Sequence, residues 1–456
     1  MIKFGTDGWR AILDKDFTEE NVKRVTLAIG KYVYDTYGFE KLIIVGYDPR
    51  NMADVYAKRC ADLLAQKGFI VKLSARIIPT PILAYNAKLL NAAAIMFTAS
   101  HNPPEYLGMK YIPDYAGPAT SEITDEIVSN IDLDFDFKQG GKVEVEHFEE
   151  SYYEHLNSLI DYEKIKELET NLIFDGLYSA SVGYFDKILK NNNIKFEAIH
   201  LEHDKNFGGG MPDPKPQYLT ALIEKVRSTS NSIGMANDGD ADRFGVVNEN
   251  GEYVSPNEII AILLKYLKEK GLSGQVVKTV GSSILIDNVA EKLGVKVIET
   301  AVGFKHVGEA MRTNEVIIGG EESGGLSISG HIPEKDGLIA NLLILEAMAS
   351  KKKSLVELQK EIHDIGGQFY TDRVDLKKTD SEEIFAIINK FKKIEFIGEY
   401  RVSDINLMDG VKLMLGRNSK ILIRPSGTEP LLRIYFESDS LEKLGTLKTE
   451  IEKFLL

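Results

Sequence analysis

The sequence predicts an α/β protein of three repeated α/β domains with mixed, largely parallel sheets, completed by a C-terminal α+β domain. Three observations predict this. A chain of 456 residues, 43% hydrophobic and 27% charged, exceeds the roughly 250–300 residues at which single cores stop growing. One order of helices and strands recurs three times. Each recurrence ends in a polar loop punctuated by Gly or Pro.

The first copy reads as helix 18–37, strand 41–47, helix 53–67, strand 69–73, helix 80–90 and strand 93–98. "KLIIVGYD" and "AAAIMFTAS" are nearly continuous apolar runs, the pattern of parallel strands covered on both faces. The loop after the third strand is "TASHNPPEY". A second copy follows as helix 150–168, strand 171–175, helix 181–191, strand 195–201, helix 216–228 and strand 232–237, ending in "NDGDADR". The third has helix 256–269, strand 275–280, helix 283–293, strand 295–299, helix 304–313 and strand 315–319, ending in "GGEESGG". The acidic segment 132–150, with its Gly pair, reads as the first domain junction. From about residue 366 the pattern changes to strand 366–375, helix 381–391, several strands and a closing helix, an antiparallel module carrying "RPSGTEP" between two strands. The expected domains are 1–148, 149–253, 254–365 and 366–456. Ligands of open α/β sheets bind beyond the carboxyl ends of the strands, so the loops are expected to build one composite site.

A formal charge of −14 argues against nucleic-acid or anionic-membrane partners, which are met by clustered positive charge. Neither is expected. An anionic substrate is still feasible, because local Arg and Lys outweigh remote carboxylates beyond a Debye length of ~8 Å. Cys60, the one cysteine, falls in an amphipathic helical pattern and is expected in the core. The N-terminus "MIKFGTDGWRA" has no apolar signal-like run and no stretch approaches a membrane span, so a cytoplasmic location is expected.

The loops supply the chemistry. Ser100 lies beside His101 and Asn102, with Lys110 beyond Pro103 and Pro104; a serine hydroxyl needs such assistance to act as a nucleophile. Asp238, Asp240 and Asp242 alternate, so an extended loop can turn all three carboxylates to one side. That donor set suits Mg²⁺. An EF-hand would place Glu249 twelfth, but Arg243 stands sixth, where Gly is needed, and a strand precedes the loop. Arg243 reads instead as a phosphate contact. Glu321, Glu322 and Ser323 offer acceptors to sugar hydroxyls, while Arg424, Ser426, Gly427, Thr428 and Arg433 suit a phosphate dianion. Asp7 and Arg10 flank a Gly before the first helix. Lys305, His306 and His331 stand evenly between ligand contact and surface.

In this order "FGTDGWR", "TASHNPPEY", "DGDADR", "GEESGG" and "RPSGTEP" resemble the α-D-phosphohexomutase superfamily, the phosphoglucomutases and phosphomannomutases, along the whole chain. The resemblance implies four domains around a central cleft. It implies that Ser100 carries the phosphoryl group and that Asp238, Asp240 and Asp242 hold Mg²⁺, completed by the phosphate on Ser100. Arg10 and Lys110 would act near the transferring group, with Lys110 as general acid or base and His101 among the catalytic residues. Glu321, Ser323 and Lys305 would bind the sugar, and Arg424, Ser426, Gly427, Thr428 and Arg433 the other phosphate. A monomer or homodimer is expected, with a small sugar phosphate as its partner and glucose 1,6-bisphosphate as activator and intermediate. Leu107 and Gly325 depart from the common pattern, which often has Asn and His there. "GEESGG" is closer to the glucose-handling pattern than to the mannose or glutamine-containing glucosamine versions.

The rivals are weaker. A sugar kinase lacks its nucleotide loop, since "GGLSISGHI" has His331 and Ile332 where Lys and Ser or Thr are required. A phosphatase would admit water, and a non-catalytic sugar-phosphate binder would not need Ser100, Lys110 and the three aspartates together.

Overall fold

The computed structural model describes residues 2–5, 7–136, 138–377, 380–425 and 431–455. In the first sheet six strands stand in the order Trp9–Ile12, Tyr106–Ile112, Ala93–Phe97, Ile43–Tyr47, Ile70–Ser74 and Lys142–Glu146. The last four run parallel, whereas Tyr106–Ile112 runs antiparallel to both of its neighbours. Every residue of Ala93–Phe97 is buried, as its uninterrupted apolar run requires. The second sheet orders Tyr253–Val254, Phe244–Val247, Ser232–Asn237, Asn171–Asp175 and Phe196–Ile199, and the third Val297–Thr300, Gln275–Thr279, Val316–Gly320 and Leu326–Ile328. In all three, the strand before the polar loop is followed by an antiparallel partner, in register at Phe97↔Met109, Asn237↔Phe244 and Gly320↔Leu326. The three loops are therefore hairpin connections at equivalent corners of related sheets.

Elements differ from the sequence reading where polar side chains or glycine interrupt a helical pattern. Helix 150–168 is two helices, Glu149–Leu159 and Tyr162–Ile165, because the Asp161 carboxylate accepts the Lys164 N–H and starts the second. Helix 181–191 begins only at Phe185, after Gly183 at φ +78°. Before the helix Thr220–Ser228 lies a 3₁₀ turn, Pro216–Tyr218. The segment 132–150 is more than a junction: Lys142–Glu146 pairs with Ile70–Ser74 and extends the first sheet. The strand expected from 366 runs Tyr370–Lys377, since helix Leu355–Gly366 precedes it.

One apolar core runs continuously through the first three α/β units. At its centre lies Gly337–Lys351, a helix apolar on nearly all sides and buried from Gly337 to Ala349, as such composition demands. Cys60 is buried as expected, and burial pushes its thiol up to about 12. The C-terminal unit has a separate core around an antiparallel sheet ordered Tyr370–Lys377, Leu431–Ser438, Ser419–Pro425, Val411–Met414 and Asp404–Asn406. It meets the third unit through polar groups. Glu437 accepts hydrogen bonds from the Ser283 hydroxyl and, at 3.1 Å, the Ile284 N–H, capping helix Ile284–Lys292. Glu299 accepts from Asn406 at 2.9 Å and from Lys412, and Asp409 accepts from the Val302 N–H at 3.1 Å. Among the described residues no helix is long and apolar enough to cross a membrane.

His331 belongs to this framework and not to a ligand site. Its Nε2 lies 2.9 Å from Asp336 Oδ2 and its Nδ1 3.0 Å from Nε2 of His155, with the two rings stacked. Asp336 also accepts from Tyr152 at 2.6 Å and caps helix Gly337–Lys351 through the Leu338 and Ile339 N–H groups. Burial first, and then the His331 ring, push His155 down to about 4. The unfolded chain, with an ordinary His near ~6.5, takes up a proton that the folded chain refuses as pH falls from about 6.5 to about 4, so stability falls through that window. Thermal melts between pH 7 and pH 5 should show a smaller loss of Tm for His155→Gln than for the parent; equal slopes would assign the acid limb to other groups.

Candidate active site

Residues from all of the first three units converge on Ser100. The serine is buried at φ +50°, a left-handed conformation unusual for a side chain of its type. Its Oγ donates to Asp238 Oδ2 at 2.7 Å and lies 3.3 Å from His101 Nδ1. Burial, reinforced by Arg243 and Arg10, holds His101 well below the usual histidine range, so its ring is neutral. Lys110 projects from strand Tyr106–Ile112 and donates to Asp240 at 2.8 Å and Asp242 at 2.9 Å, with Asp7 also at 2.9 Å. Arg10 stands opposite Gly108 on the neighbouring strand, pairs with Asp7 at 3.0 Å and donates to Asn102 at 2.8 Å.

The three aspartates are fully buried and offer carboxylate oxygens within 4.8 Å of one another. Burial, together with its two neighbours in the triad, raises Asp238 well above the carboxylate range. Burial would raise Asp240 too, but Lys110 and the Thr80 hydroxyl bring it down to about 2. Oδ1 of Asp240 and Oδ1 of Asp242 are buried without a hydrogen-bond partner, an expensive state unless a ligand completes them. A cluster of hard oxygens with orphaned acceptors fits Mg²⁺. The loop presses closely on the serine: a Cβ on Gly239 would stand 2.4 Å from the Ser100 carbonyl oxygen.

Arg243 ties the loop together, its N–H donating to Asp238 Oδ1 at 3.0 Å. Glu321 is buried and raised by that burial, accepting from the Ser323 hydroxyl. Glu322 turns away and accepts from Thr279 at 2.6 Å. Lys305 donates to Ser121 at 2.9 Å, a bond between the third and first units, and His306 is half-buried beside it. Arg424 and Arg433 face each other across adjacent strands. Opposed like charges weaken a sheet, and the buried Nε of each lacks a hydrogen-bond partner; Asp409 pairs with Arg424 at 2.9 Å. Both features suit an anion. Ser426, Gly427 and Thr428 lie outside the described residues.

Sequence reasoning missed Lys335. Its ammonium lies 3.3 Å from Asp242 and 3.5 Å from Asp7, and its stem occupies the space beside Gly325, where a Cβ would stand 2.4 Å from Cδ of Lys335. In "GHIPEKDG" it stands as one charge among several. Asp48 and Arg50, in the loop after strand Ile43–Tyr47, and Thr80, the first residue of helix Thr80–Leu89, were missed as well.

Four domain families match in order: phosphoglucomutase/phosphomannomutase α/β/α domain I over residues 1–135, domain II over 150–251, domain III over 255–364 and the C-terminal domain over 374–454. The chain belongs to this family, within the α-D-phosphohexomutase superfamily. A solved structure from Thermus thermophilus, described as a phosphomannomutase, is 31% identical with a TM-score of 0.88, covering 100% of this chain and 99% of its own. A Thermococcus kodakarensis relative named phosphoglucomutase/phosphomannomutase is 29% identical over 96% of this chain and 95% of its own length. A Thermosipho africanus relative named phosphoglucosamine mutase is 28% identical over 99% and 97%. The phosphohexomutase family thus accounts for all four units, and the fold class expected from the sequence holds.

The contact between Gly239 and Ser100 gives a direct test. Gly239→Ala should cost about 1–3 kcal/mol in denaturant unfolding through overpacking; a loss below about 0.5 kcal/mol would mean that the two loops are free to separate.

Proposed function

We propose that this phosphohexomutase interconverts glucose 1-phosphate and glucose 6-phosphate through phosphorylated Ser100 and a bound glucose 1,6-bisphosphate. The observation that carries the reading is the Ser100 hydroxyl held 2.7 Å from Asp238, inside a buried triad of carboxylates with Lys110 against two of them.

In the forward half-reaction the bond from phosphorus to Ser100 Oγ breaks and a bond to O6 of glucose 1-phosphate forms. The proton from O6 passes by way of Lys110 to Ser100 Oγ, and the free serine is then rephosphorylated by the C1 phosphate. Asp238, Asp240, Asp242 and Ser100 would hold Mg²⁺, which would neutralise charge on the transferring group. Although burial would lower it, Lys110 is held charged by Asp240, Asp242 and Asp7, which suits it to stabilise phosphoryl oxygens and to give a proton. Neutral His101 can accept near Ser100 Oγ. Arg10 and Arg243 flank the same centre. Glu321 and Ser323 would orient sugar hydroxyls. Lys305 would reach the sugar only by leaving Ser121. Arg424 and Arg433, with Ser426, Gly427 and Thr428, would grip the phosphate that stays.

Glucose is favoured by the "GEESGG" loop with Gly325, where Lys335 fills the space of a larger side chain. Relatives named for mannose or glucosamine substrates keep phosphomannomutase or dual specificity as the second reading. Assays with glucose 1-phosphate, mannose 1-phosphate and glucosamine 1-phosphate, given Mg²⁺ and catalytic hexose 1,6-bisphosphate without ATP, should turn over glucose 1-phosphate fastest. A preference for another sugar reassigns the substrate. Ser100→Ala should lower kcat by about 10³-fold or more; undiminished turnover would remove Ser100 as the phosphoryl carrier.

A further inference from the structure

Arg50 lies outside every motif that marks the family resemblance in this sequence, yet its side chain is wholly buried beneath the serine loop. Its guanidinium donates to four backbone carbonyls of one loop. Nη2 bonds the Ser100 oxygen and the Asn102 oxygen, both at 2.6 Å, while Nη1 bonds the Pro103 oxygen at 2.7 Å and the Tyr106 oxygen at 3.0 Å. Its Nε pairs with Asp48 at 3.2 Å. Asp48 in turn accepts the Arg50 N–H at 3.0 Å and the Thr98 hydroxyl at 2.6 Å, and Thr98 accepts the Ser100 N–H at 2.8 Å. The guanidinium face lies 5.0 Å from the Phe207 ring, which belongs to the second unit.

Four carbonyls turned inward toward one point repel each other and would face water if left alone. A planar cation with its donors in a fixed fork satisfies all four at once. The loop it gathers is the one that holds Ser100 at positive φ, a conformation that persists only where the surroundings over-determine it. We infer that Arg50 is a positioning residue for phosphoryl transfer: it fixes the backbone of Ser100 so that Oγ meets the transferring phosphorus in line, without touching the substrate itself. The inference rests on the reading that Ser100 carries the phosphoryl group.

Lysine keeps the charge but concentrates three donors on one tetrahedral nitrogen, so Arg50→Lys cannot reproduce the fork. Since small misplacements of a reacting group cost of the order of 10²-fold, Arg50→Lys should lower kcat by about that factor and leave KM for the sugar phosphate within about threefold. The rate at which hexose 1,6-bisphosphate labels the dephosphorylated protein, read by intact mass, should fall by the same factor as kcat. Ser100→Ala run beside it separates the two claims: labelling of that variant would remove Ser100 as the carrier, whereas its loss leaves Arg50 to be judged alone. Retention of more than half the labelling rate in Arg50→Lys, or a rise in KM that accounts for the whole loss, would overturn the positioning role. Should Arg50→Lys fail to fold, Asp48→Asn, which removes the charge facing Nε while keeping shape, should slow labelling at least fivefold at unchanged KM; unaltered labelling there would equally overturn it.

Discussion

Opposite charges buried where three units meet are the constraint on which the site depends. Asp7 and Lys110 come from the first unit, Asp240 and Asp242 from the second, and Lys335 from the third, all joined by contacts of 2.8–3.5 Å. Burial alone would raise Asp7, but Lys110, Lys335 and Arg10 hold it well below the carboxylate range. Such a set must be assembled complete. Removing one partner of a buried pair costs about 3–5 kcal/mol, because the other charge is left without compensation. The units therefore cannot be docked loosely and still bring their loops together, and the continuous apolar core beneath them fixes the relative positions that the charges require.

The repeated architecture also shows how one corner of a sheet can be reused. At the end of its first parallel strand each unit has a polar residue accepting the backbone N–H two residues on: Asp48 from Arg50, Asp175 from Leu177 and Thr279 from Gly281. The turn is common and the outward connection differs. Asp48 reaches Thr98 beside the serine, Asp175 reaches His200, and Thr279 donates to Glu322 in the "GEESGG" loop. In the first and third units this bond ties the turn to the functional hairpin, with acceptor and donor exchanged between them.

Most of this was legible in the sequence because parallel strands buried on both faces leave continuous apolar runs and the loops between them stand out as polar. Ser100, Lys110 and the three aspartates could be found for that reason. What stayed hidden depends on distance in space rather than on pattern. Arg50 lies fifty residues before the serine it supports, and nothing in "YDPRN" states which carbonyls its side chain will meet. Lys335 looks like one charge among several in "PEKDG" until the fold brings it beside Gly325. His331, which stood evenly between ligand contact and surface, is neither: it is buried, and Asp336 and His155 hold it in the framework. Lys142–Glu146 was obscured because an edge strand alternating charge with valine has the composition of a linker.

The fourth unit follows a different rule. Its core is closed on itself, and it is fastened to the third by Glu437 at a helix terminus, Glu299 between Asn406 and Lys412, and Asp409 on the Val302 N–H. Water can take the place of each such bond at a net cost of only about 0.5–1.5 kcal/mol, or about 1.5–3 where a charge takes part, and the apolar cores on either side stay separate and intact when they part. The joint is thus a clasp that solvent can undo and remake, whereas the three units behind it are welded. A wall joined in this way is separable from the three that share a core, so strain at its surface need not reach the buried charges around Ser100.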